Sequence, residues 1–271
     1  MSKKVHSKLP RQLQVIVLIF LYFSIAVASC FAQDYLVFVG TYASDGSKGI
    51  YSYRFDSQSG KITPLGLAGE ASNPSFLAVD PTGRFLYAVN EQDTLDGEPN
   101  GGVSAFAVNH VTGKLQFLNR VSSLGTAPAH ISVDKSGRYV LVANYNSGSV
   151  AVFPIGNDGK LGPHTAFAQQ VGSSVNKQRQ AGPHAHFIGT DHNNRFALSA
   201  DLGTDQVLVY RFDVNSGSLT PNDPPFATVT PGSGPRHVAF APSANFVYLS
   251  SEMGGDCNCI CLRRPIGNFK D

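Results

Sequence analysis

The chain has 271 residues, of which 42% are hydrophobic and only 15% are charged, and its net charge is +2. It contains 27 Gly and 16 Pro but no Trp. This composition is typical of a globular protein with many turns, and it argues against a disordered or a largely helical chain. The small net charge gives no indication of binding to nucleic acid or to an anionic membrane surface.

The N-terminus has the pattern of a secretory signal. Basic residues precede fourteen uncharged residues, VIVLIFLYFSIAVA, and the small and polar residues SCFAQD follow. Because the apolar run is short for a membrane span, we expect residues 1–32 to direct export to the periplasm or the exterior. Cleavage after Ala32 is the favoured outcome. Residues 27–30 also resemble a lipobox, so a lipoprotein anchored at Cys30 is the alternative.

Two sequence patterns alternate along the rest of the chain. The first runs proline, apolar strand, polar turn and aromatic strand, and it occurs at residues 73–91, 127–145, 182–202 and 234–252. The second is an alternating strand that ends in a glycine turn, and it occurs at residues 49–63, 102–116, 149–163 and 206–220. A unit of about fifty residues with about four strands is typical of a propeller blade. The repeats therefore predict an all-β propeller of four-stranded blades, since a β-sandwich would not need the same unit repeated.

Three motifs stand out among these repeats: RQAGPHAHF (179–187), DLGTDQVLVYRFD (201–213) and GPRHVAFAPSANFVYLSSE (234–252). They resemble the lactonase family of seven-bladed β-propellers, which includes propeller-type 6-phosphogluconolactonases and carboxymuconate cyclases. The stretch VFVGTYASDGSKGIYSYRFD is similar to that family's first blade. The resemblance runs from about Tyr35 to Glu252. It implies a hydrolase that opens a sugar lactone, such as 6-phosphogluconolactone or an aldonolactone.

The family pattern stops after Glu252. Seven blades of this period need roughly 350 residues, whereas only about four and a half to five are recognisable here. We therefore expect a partial propeller over residues 33–253. In place of a further strand, residues 254–271 read GGDCNCICLRRPIGNFKD, which we interpret as an aberrant tail.

Two hypotheses account for this tail. Cys257, Cys259 and Cys261 could form a metal or redox motif. The favoured hypothesis is a frameshift, because the degenerate codons for DCNCIC and for the residues that follow, read one base later, permit TVTVFAYD. The sequence TVTVFAYD has the same alternation of residues and the same final aspartate as the strand QVLVYRFD. A propeller interrupted within a blade would leave open sheet edges, so an inactive chain is compatible with this hypothesis.

Alignment of the four repeats on Asp80, Asp134, Asp191 and Ala241 brings the candidate site residues into shared columns. Four positions before these anchors lie Phe76, His130, Phe187 and His237. Five positions before them lie Ser75, Ala129, His186 and Arg236, and eleven positions after them Glu91 and Glu252 share a column. In a propeller such positions converge near one mouth of the central channel, which makes the mouth the predicted site.

Hydrolysis of a lactone needs a base for the attacking water and donors for the developing oxyanion, which histidine and arginine can supply. The family resemblance implies a catalytic set of His186, Arg236 and Glu252. Arg179, His184 and His237 are the candidate substrate-binding residues. Which residue acts as the base is left open. We expect no metal and no cofactor.

Some of these residues also have a purely structural interpretation. His130 and His237 could simply satisfy backbone groups at the start of a strand. Asp80 and Asp134 are interpreted as turn formers, and one repeated turn position carries the structural arginines Arg84, Arg138 and Arg195.

Two further functions stay open on the sequence alone. The same histidine, arginine and glutamate could serve an isomerase of the carboxymuconate cyclase type. The propeller could also be a non-catalytic module that binds a ligand or a partner. The expected ligand is a small lactone, with no nucleic acid and no membrane span.

Overall fold

The computed structural model describes residues 34–43, 46–243, 246–255, 257–262 and 269–270. The signal segment predicted for residues 1–32 lies outside these residues, and so do the side chains of the cysteine tail. The strands form five antiparallel sheets, in each of which consecutive strands lie side by side. The all-β propeller architecture predicted from the repeats is confirmed.

The strands of the first three sheets follow the order of the chain. The first sheet contains β1 (Asp34–Val39), β2 (Gly49–Asp56) and β3 (Ile62–Glu70). The second contains β4 (Leu77–Val79), β5 (Phe85–Asn90), β6 (Gly102–Val108) and β7 (Leu115–Ser122). The third contains β8 (Pro128–Val133), β9 (Tyr139–Asn144), β10 (Ser149–Pro154) and β11 (Ala166–Gln169).

The last two sheets repeat the same arrangement. The fourth contains β12 (Ala185–Thr190), β13 (Phe196–Asp201), β14 (Gln206–Asp213) and β15 (Ser218–Thr228). The fifth contains β16 (Pro235–Phe240), β17 (Phe246–Ser251), β18 (Cys257–Leu262) and β19 (Phe269–Lys270). The backbone of the tail thus pairs with the repeat unit before it, through β17 and β18. The boundary predicted at residue 253 stays a prediction.

Each pair of neighbouring sheets encloses one apolar cluster. Between the second and third sheets, for example, Tyr87 and Val89 of β5 pack with Ile131 of β8 and Val142 of β9. All six residues of β9 are buried, because a sheet covers each of its faces. Such a strand is read in the sequence as a continuous apolar run rather than as an alternation. Burial of these side chains, at about 25 cal/mol per Å² of apolar area, holds the sheets together.

The first strand of each of the last three sheets carries a β-bulge at its start. The register shifts between Pro128 and His130, between Ala185 and Phe187, and between Pro235 and His237. The skipped residues are Ala129, His186 and Arg236, which are the members of one predicted column. The alignment of these repeats is therefore confirmed. A bulge changes the direction of its side chain, and bulges are frequent next to active sites.

The repeated aspartates fix the turn between the first and second strands. Both oxygens of Asp134, which is fully buried, accept hydrogen bonds. Oδ1 accepts from the backbone N–H groups of Arg138 and Tyr139 at 2.8 Å, and Oδ2 accepts from Ser136 N at 2.9 Å and Asn194 Nδ2 at 2.7 Å. The interpretation of Asp134 as a turn former is confirmed.

The repeated arginines lie over the aromatic ring of the next residue. The guanidinium carbon is 5.1 Å from the ring centre in Arg84–Phe85, and 5.9 and 5.6 Å in the equivalent pairs Arg138–Tyr139 and Arg195–Phe196. Contacts of this kind stabilise an exposed strand end by a fraction of a kcal/mol to about 1 kcal/mol. These arginines are structural, as the sequence indicated.

The substitution Asp134→Ala tests the role of this turn. It leaves the buried N–H group of Tyr139 and the partly buried N–H groups of Ser136 and Arg138 without their acceptor, so we expect the free energy of unfolding to fall by about 3 kcal/mol. Urea denaturation followed by circular dichroism measures the change. Asp158→Ala is the matched control, since the Asp158 side chain is 61% exposed in a similar turn. Equal midpoints for the two variants would contradict this account.

Candidate functional site

One repeated position surrounds the mouth of the channel. It is the residue that follows the second strand of each four-stranded sheet: Glu91, Tyr145, Leu202 and Glu252. In the first sheet the equivalent position is Tyr42. Val39 pairs with Tyr51, so the same register extended by two residues places Thr41 opposite Gly49. Thr41 therefore corresponds to Asn90, which pairs with Gly102, and the next residue, Tyr42, corresponds to Glu91. We call these five residues the mouth ring. The sequence analysis identified only its two glutamates, although the same column contained Tyr145 as well.

Glu252 links the predicted site residues. Its Oε1 accepts a hydrogen bond of 2.6 Å from Arg179 Nη2, and its Oε2 accepts one from Arg236 Nη1. The same Oε2 lies 3.9 Å from His186 Nε2. The structure therefore brings together the three predicted catalytic residues and the predicted binding residue Arg179, although they come from three separate stretches of the chain.

Arg179 is held in this position by the loop that precedes β12. Its backbone N–H donates to Asn176 Oδ1 at 3.1 Å, which shapes a tight turn. Its Nη2 also donates to Tyr145 Oη at 3.1 Å. One guanidinium nitrogen thus joins two members of the mouth ring, Tyr145 and Glu252.

Tyr145 also orders the two histidines of the motif PHAH. Its ring stacks on His184 with centroids 4.6 Å apart and an angle of 22°, and it meets His186 edge-on at 5.4 Å. Its backbone oxygen lies 3.0 Å from His184 Nδ1. The backbone N–H of His184 is bound in turn by Asp201 Oδ1 at 2.8 Å. His184 is therefore held by Tyr145 and Asp201. It is not a member of the group formed by Arg179, Arg236 and Glu252, which we call the ion cluster.

The ion cluster determines the charge states at the mouth. Burial on its own would raise the pKa of Glu252, but the hydrogen bonds and the charges of Arg179 and Arg236 lower it below its usual range. Burial and then the charge of Arg236 lower the pKa of His186 to about 4. At neutral pH, Glu252 is consequently an anion and His186 is a neutral imidazole.

Aromatic and imidazole rings fill the channel beneath the mouth. His130 lies between Phe76 and Phe187, at centroid distances of 4.3 and 4.4 Å, and it is fully enclosed. Its Nδ1 accepts a long hydrogen bond of 3.4 Å from Ile188 N, in agreement with a structural role. His237 packs edge-on against His186 at 5.2 Å. Burial is the first cause that lowers the pKa of both His130 and His237.

The remaining candidate groups add no ligand cluster. Within the described residues, His, Cys, Asp and Glu side chains form no group of three that could hold a metal ion. The same residues include no helix that is long and apolar enough to span a membrane.

Comparison with known proteins identifies relatives of this chain. A 6-phosphogluconolactonase of Bacillus subtilis is 33% identical over 237 residues, which are 88% of this chain and 65% of the relative. A 6-phosphogluconolactonase of Formosa agariphila is 30% identical over 238 residues, or 86% of this chain and 65% of the relative. The chain therefore spans slightly less than two thirds of the length of these relatives.

A solved structure and a family model give the same result. The structure of the periplasmic gluconolactonase of Pseudomonas aeruginosa superposes with a TM-score of 0.79 at 33% identity, and the match covers 88% of this chain and 67% of that one. The model of the family described as "Lactonase, 7-bladed beta-propeller" matches residues 36–271. With its bulged inner strands and its arginine–glutamate–histidine mouth, the chain belongs to this family of seven-bladed propeller lactonases.

Proposed function

We propose that the mouth hydrolyses a sugar lactone, either 6-phosphogluconolactone or an unphosphorylated aldonolactone. The observation that carries the proposal is the placement of Glu252 between Arg179 and Arg236, with the neutral imidazole of His186 beside it. Within this group, two guanidinium groups and one carboxylate leave one excess positive charge. That excess suits a reaction in which negative charge develops on the carbonyl oxygen of the lactone.

In the proposed reaction, one water molecule donates hydrogen bonds to His186 Nε2 and to Glu252 Oε2, which lie 3.9 Å apart. The water oxygen forms a bond to the carbonyl carbon while His186 takes the proton. The ring C–O bond then breaks, and the proton passes to the departing ring oxygen. The product is an open hydroxy acid that contains all the atoms of the lactone and the water.

The two arginines have a different task in this scheme. Their N–H groups that Glu252 leaves free are available to the carbonyl oxygen and to the product carboxylate, for which paired guanidinium donors are well suited. Both side chains are nearly half exposed, so a substrate can reach them. Glu252 fixes the position of both guanidinium groups before the substrate arrives, which reduces the reorganisation needed during the reaction.

The names of the relatives support this proposal. Two of them are 6-phosphogluconolactonases and one is a periplasmic gluconolactonase. We also propose that the chain is exported, on the basis of the signal-like pattern in residues 1–32. An exported enzyme would meet unphosphorylated lactones more readily than a phosphorylated sugar, which favours an aldonolactone as the substrate.

The substitutions Glu252→Gln and Arg236→Ala test the site. Each removes an ionic partner that organises the oxyanion donors, so we expect kcat/KM for glucono-δ-lactone to fall about 100-fold. The value of kcat/KM is measured from acid release in a pH-stat, corrected for spontaneous hydrolysis of the lactone. Glu98→Gln is the control, since Glu98 is exposed and outside the mouth. An unmodified chain no faster than the background would refute the function, whereas unaffected variants would refute the site.

The pH dependence tests the role of His186. Its imidazole can accept a proton only when neutral, and its pKa is lowered to about 4. We therefore expect kcat/KM to fall as the pH decreases through about 4 and to stay level from there to neutrality. Because His186 and Glu252 titrate as a coupled pair, the decrease of kcat/KM at low pH reflects the protonation of both groups. A limb centred near 6.5, the pKa of an ordinary histidine, would contradict this assignment.

A further inference from the structure

A polar cleft lies beside the mouth, between the first and second sheets. Its volume is about 530 Å³, within the usual range of small-molecule sites. We call it the side cleft. Its lining includes Ala43, Ser47, Lys48, Asn90, Phe117 and Arg120. None of them belongs to the site described above.

The inner end of the side cleft meets the mouth ring. Ala43 follows Tyr42 in the chain and Asn90 precedes Glu91, and Tyr42 Oη donates a hydrogen bond of 2.8 Å to Glu91 Oε2. Asn73 holds the two sides together, because its Oδ1 accepts from Ala43 N at 2.9 Å and its Nδ2 donates to Glu91 O at 3.1 Å. A ligand at the mouth can therefore continue past Tyr42 and Glu91 into the cleft.

Electrostatics also connect Tyr42 with the ion cluster. Burial and the Glu91 carboxylate raise the pKa of Tyr42, while the positive charge of Arg236 acts on it in the opposite sense. Tyr42 and Arg236 thus face the same mouth from the first and the fifth sheet. Tyr42 keeps its proton at neutral pH and can both donate and accept a hydrogen bond.

The outer end of the side cleft is an exposed aromatic surface. Phe117 of β7 is 56% exposed, and its ring is supported edge-on by Phe106 at a centroid distance of 5.8 Å. Between Phe117 and the mouth the lining includes the exposed hydroxyl of Ser72 and the half-buried hydroxyl of Ser47, which is bonded to Thr41 Oγ1. Ser104 is buried beneath them and donates its hydroxyl to Asn90 Oδ1. An aromatic face beside many hydrogen-bonding groups matches a sugar ring, which presents C–H groups on its faces and hydroxyls at its edge.

The charges of the lining favour an uncharged ligand. Arg120 is bound by both oxygens of Asp96, at 3.0 and 3.1 Å, so its charge is already matched. Lys48 and Glu70 contribute one charge of each sign to the same lining. Among the described residues of the lining, no net charge is left to select a phosphate or a carboxylate. Polar groups without a net charge are what a neutral sugar requires.

We infer that the side cleft binds the further sugar units of an oligosaccharide whose terminal lactone ring lies at the mouth, an assignment that rests on the proposed function for the lactone end. The path from β5 to β7 spans two strand spacings, roughly 10 Å. Such a path accommodates more than one sugar ring beyond the lactone. The substrate class is thus an oligosaccharide lactone with a gluconolactone end.

The first experiment compares three lactones on the full chain: glucono-δ-lactone, cellotrionolactone and maltotrionolactone. We expect at least one trisaccharide lactone to have a KM about tenfold lower than the monosaccharide, and Phe117→Ala to remove that advantage without changing turnover of glucono-δ-lactone. Phe167→Ala is the matched control, because Phe167 is a 46% exposed aromatic on the outer strand of the third sheet. Phe117→Tyr should retain the advantage.

A second measurement separates this inference from the proposed function. Calorimetry with gluconic, cellotrionic and maltotrionic acids reports binding without any hydrolysis. Tighter binding of a trisaccharide acid that Phe117→Ala abolishes supports the side cleft, even if no lactone is hydrolysed. Hydrolysis of glucono-δ-lactone without any preference for a trisaccharide, in turnover or in binding, overturns the side cleft and leaves the proposed function intact. Unchanged urea midpoints for the variants show that the fold is retained.

Discussion

The carboxylate of Glu252 is the group on which the geometry of the mouth depends. It accepts hydrogen bonds from Arg179 and Arg236, which come from different parts of the chain, and it lies within 4 Å of His186. Without this anion, two guanidinium groups would repel one another in a partly buried place. With it, both guanidinium groups are fixed, and the three side chains together keep one excess positive charge. Burial and then the charge of Arg236 lower the pKa of His186, whereas the Glu252 anion acts on it in the opposite sense.

The propeller supplies this arrangement by repeating two backbone positions with different side chains. At the bulge, the third sheet has the methyl group of Ala129, the fourth has the imidazole of His186 and the fifth has the guanidinium of Arg236. At the mouth ring, tyrosine, glutamate and leucine occupy the equivalent positions. The repeated hydrogen bonds of the turns keep these positions constant, so that only the side chain changes from sheet to sheet. One scaffold therefore brings unlike groups to a common centre.

The channel beneath the mouth controls the environment of that centre. The rings of Phe76, His130 and Phe187 pack against one another at tilted angles of 44° and 45°, and His130 and Phe187 are buried. A charged imidazole is unfavourable there, which explains why burial lowers the pKa of His130, His186 and His237. In such surroundings the hydrogen bonds of the ion cluster act more strongly than in water. The side cleft is the opposite case, a hydrated and polar space suited to hydroxyl groups.

The sequence by itself determined the strands, the repeat and the columns that contain His186, Arg236 and Glu252. These follow from local properties, namely alternation, turn residues and a fixed period. Only the tertiary structure decided that Arg179 binds Glu252, 73 residues away, and that Tyr145 joins them. It also revealed Phe117, which in the sequence resembles any buried aromatic of a strand. Such contacts depend on how the sheets curve around the channel and on the path of each loop, which a one-dimensional pattern does not encode.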